Sequence, residues 1–288
     1  AVDESLGAKL SNWLERLGFA KAGQHRSKNV SLLRQGDINL ILNCEPYSFA
    51  HNFFEAHGPS LCATAIRVKD SAKALERAVA YKGQPYRGLV GPNELELAAV
   101  RAPDGSLIYL VDPSEGGLYD TDFNLQAATP ASGGLLRIDH MAMALPDDSR
   151  DSWVLFYKSL LDFEADDEVV LPDPYGLVKS RALRSRCSSI RLPLNISENR
   201  NTAISHALSS YRGSGVHHIA FDCADIFAEV RRAKEAGVPL LDIPPNYYDD
   251  LAARFDFDEE FLSELAYYNV LYDRDAQGGE LFHVYTEP

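Results

Sequence analysis

Cysteine is scarce. The four, Cys44, Cys62, Cys187 and Cys223, form no Cys-x-x-Cys pair, which excludes a zinc ribbon or a thioredoxin-like site. Scattered single cysteines fit a reducing cytoplasm. No apolar run approaches the roughly 20 residues of a membrane span. No basic stretch followed by an apolar one marks a secretory leader, so the sequon Asn195-Ile196-Ser197 is read as chance. Basic residues are few: 28 Lys and Arg stand against 42 Asp and Glu, a net charge of -14. Such a chain carries no broad nucleic-acid footprint. No Gly-rich phosphate loop and no Gly-x-Ser-x-Gly elbow occurs. What remains is a chain of 288 residues, 45% hydrophobic and 24% charged. It is long enough for a large core without disulfides or a structural metal.

Self-similarity is the strongest positive signal. Trp13-Leu-Glu-Arg-Leu-Gly-Phe19 recurs loosely as Tyr157-Lys-Ser-Leu-Leu-Asp-Phe163, each at the end of an amphipathic helix. A second helix pair is bracketed by Asp70 and Gly83 and by Asp225 and Gly237, an acidic cap and a glycine stop in both. The apolar strands Leu61 to Val68 and Val216 to Cys223 precede these helices, and Leu107 to Val111 and Leu281 to Tyr285 follow them. The pattern predicts strand, helix and several strands, four times over. Residues 114–134 are polar and without period, and are expected to connect residues 1–113 to residues 135–288. A doubly wound sheet fits less well, because strands outnumber helices and tight turns such as Gln35-Gly36-Asp37 join neighbours. The first helix begins directly at the N-terminus and the last apolar run ends directly before Pro288, which predicts a piece of something longer.

Of the eight histidines, His140 and His218 fall in the opening strands of the two repeat units of the second half. Imidazoles on adjacent inward-facing strands suit a divalent transition metal. The alternative for either is a buried, hydrogen-bonded core histidine. The equivalent first-half strand, Leu61 to Val68, holds no His, Asp or Glu. The run Asp256, Asp258, Glu259 and Glu260 is read as acids at a helix start, with Phe255, Phe257 and Phe261 packing around it. Glu280 is three residues before His283, so on a strand the two point to opposite faces. Alternation puts Leu281, His283 and Tyr285 on one face.

Gly215-Val-His-His-Ile-Ala-Phe221, Pro244-Pro-Asn-Tyr-Tyr-Asp-Asp-Leu251, Asn269-Val-Leu-Tyr-Asp-Arg-Asp275 and Ile190-Arg-Leu-Pro-Leu-Asn195 resemble the C-terminal half of 4-hydroxyphenylpyruvate dioxygenases. The resemblance covers most of residues 135–288. It implies an α+β vicinal oxygen chelate fold, with four βαβββ units in two barrel-like halves. It also implies a divalent metal, Fe(II), held by two histidines and a glutamate. His140 and His218 match the histidine ligands. The glutamate's strand would follow Tyr285 by about ten residues, so that third ligand is expected beyond Pro288. His217 and His283 stand where the dioxygenases carry substrate-contacting glutamines, and Asn195 belongs to a Pro-Leu-Asn motif of the same pocket. An amide-lined keto-acid pocket thus becomes a histidine-lined one.

The whole chain is similar to the second domain of bacterial two-domain 3-dehydroshikimate dehydratases. That resemblance implies a sugar-phosphate-isomerase-like barrel as partner on the same parent chain. The barrel would convert 3-dehydroshikimate to protocatechuate in quinate and shikimate catabolism, and the isolated fragment would be inactive. It leaves room for a small aromatic or 2-oxo acid ligand, a homo-oligomer and a cytoplasmic setting, with no nucleic acid and no membrane. The alternatives are a genuine Fe(II)-dependent 2-oxo acid dioxygenase and a non-catalytic scaffold or dimerisation domain.

Overall fold

A computed structural model of the chain describes residues 1–113, 117–126, 131–173, 175–275 and 277–287. Helix α1 (Glu4–Arg16) starts where the Asp3 carboxylate accepts from the Leu6 amide at 2.7 Å. It leads into β1 (Ala20–His25), β2 (Val30–Gln35) and β3 (Ile38–Asn43). Helix α2 (Phe49–His57) then precedes β4 (Ala63–Arg67), α3 (Ser71–Ala80), β5 (Gln84–Tyr86), β6 (Ala98–Arg101) and β7 (Leu107–Val111). The expected caps Asp70 and Asp225 each accept a backbone amide, at 2.9 and 3.0 Å.

The second half repeats this order. Strand β9 (Leu135–Ala144), helix α5 (Arg150–Leu161) and strands β10 (Glu164–Asp173), β11 (Gly176–Arg184) and β12 (Arg191–Ile196) form one unit. After α6 (Ala203–Tyr211), the next opens with β13 (Gly215–Cys223) and α7 (Ile226–Glu235). This is the mixed, repeated architecture read from the sequence. Its sheets are open: β3-β2-β1 extended by β8 (Phe123–Leu125), β4-β7-β6-β5, β10-β11-β12-β9-β13, and the pair of β14 (Leu271–Arg274) and β15 (Glu280–His283). Within a unit the first and last strands run parallel, β4 beside β7 and β9 beside β12.

Two details differ from expectation. The stretch 114–134 is not simply a connection. It contains α4 (Leu118–Asp122) and β8 (Phe123–Leu125), and β8 adds to the first sheet against β1. Phe123 pins it there by burial against Val30 and Leu32. Three-residue strands carry too little pattern to be read from sequence. Residues 114–116 and 127–130 of that stretch lie outside the described residues. The fourth unit also departs from the repeat. Helices α8 (Pro245–Arg254) and α9 (Glu259–Tyr268) intervene before β14 (Leu271–Arg274) and β15 (Glu280–His283). Their apolar faces build a separate cluster in which Leu251, Leu265 and Tyr272 are buried among Phe255, Phe257, Phe261 and Phe282. The acids behave as read, with Asp258 capping α9 and Glu259 and Glu260 in its first turn.

The cores join the two halves. Ile108 and Leu110 of the first half pack with Trp153, Leu183 and Leu194 of the second. Leu14, Leu33 and Ile38 pack with Leu135, Ala233 and Val238. Each fully buried side chain of this size contributes roughly 1.5–3 kcal/mol, so separating the faces would cost a sizeable part of a domain's stability. The β2–β3 turn is part of this contact. Gly36 has φ +53°, and a Cβ there would meet the Leu136 carbonyl oxygen at 2.4 Å. The adjacent Asp37 amide donates to that oxygen at 2.6 Å. Among the described residues no helix is long and apolar enough to cross a membrane, and the four cysteines are free.

Candidate metal and substrate cavity

Strands β9 and β13 are antiparallel neighbours, and each carries one expected ligand. His140 lies opposite Ala220 and His218 opposite Ala142, which makes the two histidines diagonal neighbours. Their ring centroids are 5.5 Å apart. Both pairings are interrupted just before the histidine. On β9 the register steps from Ile138 to His140 and leaves Asp139 unpaired; on β13 it steps from Val216 to His218 and leaves His217 unpaired. A β-bulge of this kind re-aims a side chain that alternation would send to the far face. Asp139 Oδ2 therefore reaches His140 Nδ1 at 2.7 Å, and His217 Nδ1 lies 2.9 Å from His218 Nδ1. In both ligand candidates the Nδ1 edge is engaged and Nε2 is left over.

The other expected residues are placed as follows. His217 and His283 line the same cavity as His140 and His218. Tyr285 joins the four: its ring is 5.8 Å from that of His218 and 5.5 Å from that of His283. His283 Nδ1 is buried and has no hydrogen-bond partner. Phe282, on the opposite face of β15, packs into the aromatic cluster. Glu280 is turned to Tyr272 and Arg274, at 2.6 and 2.9 Å. Asn195 is not brought to the histidines. It is buried on β12 with an unpartnered Oδ1, opposite Ala144, four residues and ~13 Å along the strand from His140.

The cavity favours uncharged imidazoles. Burial, followed by the charges of His217, His140 and His283, pushes His218 down to about 4. Burial also lowers His217 and His283 and raises the Tyr285 phenol. Neutral imidazole is the form that binds a metal ion. Two residues escaped the sequence reading. Asp139 was hidden by the bulge, since regular alternation would turn it away from His140. Arg191 at the start of β12 lines the cavity and lies 3.7 Å from Asp139; its proximity depends on the β12–β9 pairing. Among the described residues no group of three or more His, Cys, Asp or Glu is arranged to hold an ion. The histidine pair thus fits the two-imidazole share of a metal site. The carboxylate expected past Pro288 lies outside the described residues.

Comparison with known proteins agrees with this fold. The model of the hydroxyphenylpyruvate dioxygenase N-terminal family matches residues 2–124, and that of the glyoxalase/bleomycin resistance protein/dioxygenase superfamily matches residues 137–262. A 4-hydroxyphenylpyruvate dioxygenase of Pseudomonas sp. (strain P.J. 874) is 35% identical over 95% of this chain and 79% of its own length. The chain belongs to the 4-hydroxyphenylpyruvate dioxygenase family. Within that family, it is 80% and 76% identical, over its full length, to 3-dehydroshikimate dehydratases of Pseudomonas putida and Pseudomonas aeruginosa. It spans 46% of the length of each of those relatives. A solved structure described as a xylose isomerase-like TIM barrel/4-hydroxyphenylpyruvate dioxygenase fusion protein matches with a TM-score of 0.88 at 77% identity, covering 100% of this chain and 45% of that one. A variant of 4-hydroxymandelate synthase from Streptomyces coelicolor shares the dioxygenase-family fold at 24% identity, with a TM-score of 0.85 over 99% of this chain and 85% of that one.

Proposed function

We propose that the chain is the dioxygenase-like, metal-binding domain of a 3-dehydroshikimate dehydratase. Residues 1–113 and 135–288 are its two halves, and residues 114–134 join them. The dehydration of 3-dehydroshikimate to protocatechuate, with loss of one water, resides in a sugar-phosphate-isomerase-like barrel on the same parent chain. The parent is a cytoplasmic homo-oligomer of quinate and shikimate catabolism. The observation that carries this reading is the 80% identity over all of this chain but only 46% of a 3-dehydroshikimate dehydratase, together with the barrel fusion seen in a solved relative.

In this domain His140 and His218 would hold a divalent metal, Fe(II) by family resemblance, and a carboxylate past Pro288 would complete the set. Bound there, the metal supplies a Lewis-acid and one-electron centre. The chain's own residues do the rest. Asp139 orients His140, and His217 orients His218. His283 and Tyr285 present a hydrogen-bonding wall to a small aromatic or 2-oxo acid ligand. The test is elemental analysis of the intact parent protein. The His140→Ala and His218→Ala variants should each hold one divalent ion fewer per chain than the parent. Unchanged metal content in both overturns the site and favours a scaffold or dimerisation role.

A second reading, a working 2-oxo acid dioxygenase, is favoured by the His140 and His218 rings standing 5.5 Å apart on neighbouring strands. It requires oxygen uptake with 4-hydroxyphenylpyruvate that is abolished in His140→Ala.

A further inference from the structure

Hydrogen-bond roles pass along the cavity histidines as a chain. An ionised carboxylate only accepts, so Asp139 Oδ2, 2.7 Å from His140 Nδ1, requires a proton on that nitrogen. In neutral His140, Nε2 is then a lone pair. His218 stands beside it, with ring centroids 5.5 Å apart and ring planes at 76°. His218 Nδ1 in turn lies 2.9 Å from His217 Nδ1. Burial holds both His217 and His218 below the ordinary histidine range, so they are uncharged at neutral pH. Each ring carries one proton, and only one of the two can place it between them. The far edge of His217, its Nε2, bonds to no described residue, and the ring lines the cavity.

Two arrangements satisfy this chain. In the first, His218 Nε2–H is the donor beside the His140 lone pair. His218 Nδ1 then accepts from His217 Nδ1–H, and His217 Nε2 is an acceptor. In the second, His218 Nε2 is a lone pair, His218 Nδ1–H donates to His217 Nδ1, and His217 carries its proton on Nε2. The first keeps His140 and His218 from turning two lone pairs towards each other. The second is required once His218 Nε2 holds a metal ion, because a ligating nitrogen carries no proton. The exchange conserves protons. His218 Nε2 releases one to water, the shared proton crosses from His217 Nδ1 to His218 Nδ1, and His217 Nε2 takes one from water.

We propose that His217 is a metal-gated hydrogen-bond donor to the ligand of this cavity. The inference rests on the metal position proposed at His140 and His218. With an ion on His218, His217 Nε2–H meets an acceptor oxygen, the carboxylate or keto oxygen of a small acid. Before the ion binds, the same nitrogen offers that oxygen only a lone pair. A glutamine amide at this position has two N–H donors and serves an acceptor in either arrangement. His217 thus makes acid binding wait for the metal where a glutamine would not.

The intact parent protein labelled with 15N-histidine tests this. The His217 resonances, identified by their loss in His217→Gln, should show Nε2 protonated and Nδ1 unprotonated with Zn(II) bound, and the reverse after chelation. Affinity for 4-fluorophenylpyruvate, read by 19F NMR, should be about 2–10-fold higher in His217→Gln than in the parent without metal, the worth of one neutral hydrogen bond. With Zn(II) the two should bind it alike. Unchanged His217 protonation on zinc loading, or the same affinity ratio with and without zinc, overturns the inference and leaves the metal position standing. Zinc content that His140→Ala leaves unaltered overturns the metal position and this inference with it.

Discussion

His217 and His218 are consecutive on a strand, yet their Nδ1 atoms lie 2.9 Å apart. A regular strand would point them to opposite faces. The bulge at His217 removes that constraint, and the bulge at Asp139 does the same for His140 on the neighbouring strand. The two halves of the candidate site are therefore built alike: one unpaired residue holds the Nδ1 edge of the histidine that follows it. An Nδ1–Nδ1 contact needs one ring to donate and the other to accept, which couples the two tautomers.

The first prediction follows from that arrangement. Partners of this kind typically change metal affinity 10–100-fold. His217→Ala should weaken divalent metal binding at this domain by about that factor, measured by competition with a chromophoric chelator. His217→Gln, whose amide can still bond to Nδ1, should recover most of the loss. Undiminished affinity in His217→Ala would show that the contact plays no part in holding the site.

Much of this was legible in the sequence, and the rest was hidden for identifiable reasons. The repeat, the caps Asp70 and Asp225, and the placement of His140 and His218 on sister strands follow from local pattern and spacing. The position of His283 beside Tyr285 follows from alternation. The bulges do not, because an extra residue in a ladder depends on the register of two strands far apart in sequence. Asp139 was missed for that reason, and Arg191 because its partner is set by the β12–β9 pairing. Asn195 was placed with the pocket from a motif alone; four residues of strand separate it from His140. Helices α8 and α9 broke the expected repeat because their apolar residues serve the cluster around Tyr272.

The second prediction separates a ligand from a pocket residue at His283. Its Nδ1 is buried and unpartnered, and its ring abuts Tyr285. The His283→Gln variant of the intact protein should keep at least most of the metal that His140→Ala loses, while its affinity for a bound organic acid changes. Equal loss of metal from the two variants would make His283 a ligand.

The third prediction concerns the isolated chain. Residues 1–288 alone should form no detectable protocatechuate from 3-dehydroshikimate, followed by the product's ultraviolet absorbance, under conditions where the intact parent turns over. Substantial turnover by this fragment would place dehydratase chemistry in the histidine cavity and remove the need for a barrel.

The fourth prediction concerns acid stability and rests on Glu94 in the first half. Its carboxylate is 9% exposed. Burial alone would raise its pKa. Against that, Lys28 Nζ and Ser27 Oγ each donate to it at 2.6 Å, and the Gly91 amide donates at 2.6 Å as well. His25 Nε2 stands 3.9 Å away. The donors win, and the carboxyl falls from its ordinary value of 4.5 to about 2. A group whose pKa is lower in the folded state binds fewer protons there than in the unfolded chain. Its stabilisation is therefore complete above pH 4.5 and is lost as the pH falls towards 2. Glu94→Gln cannot ionise and keeps only the neutral hydrogen bonds. Urea midpoints should show the variant clearly less stable than the parent protein at pH 6, with the gap narrowing steadily between pH 4.5 and pH 3. A gap that stays constant across that range would mean that the Lys28 and Ser27 contacts do not lower the pKa of Glu94 in solution.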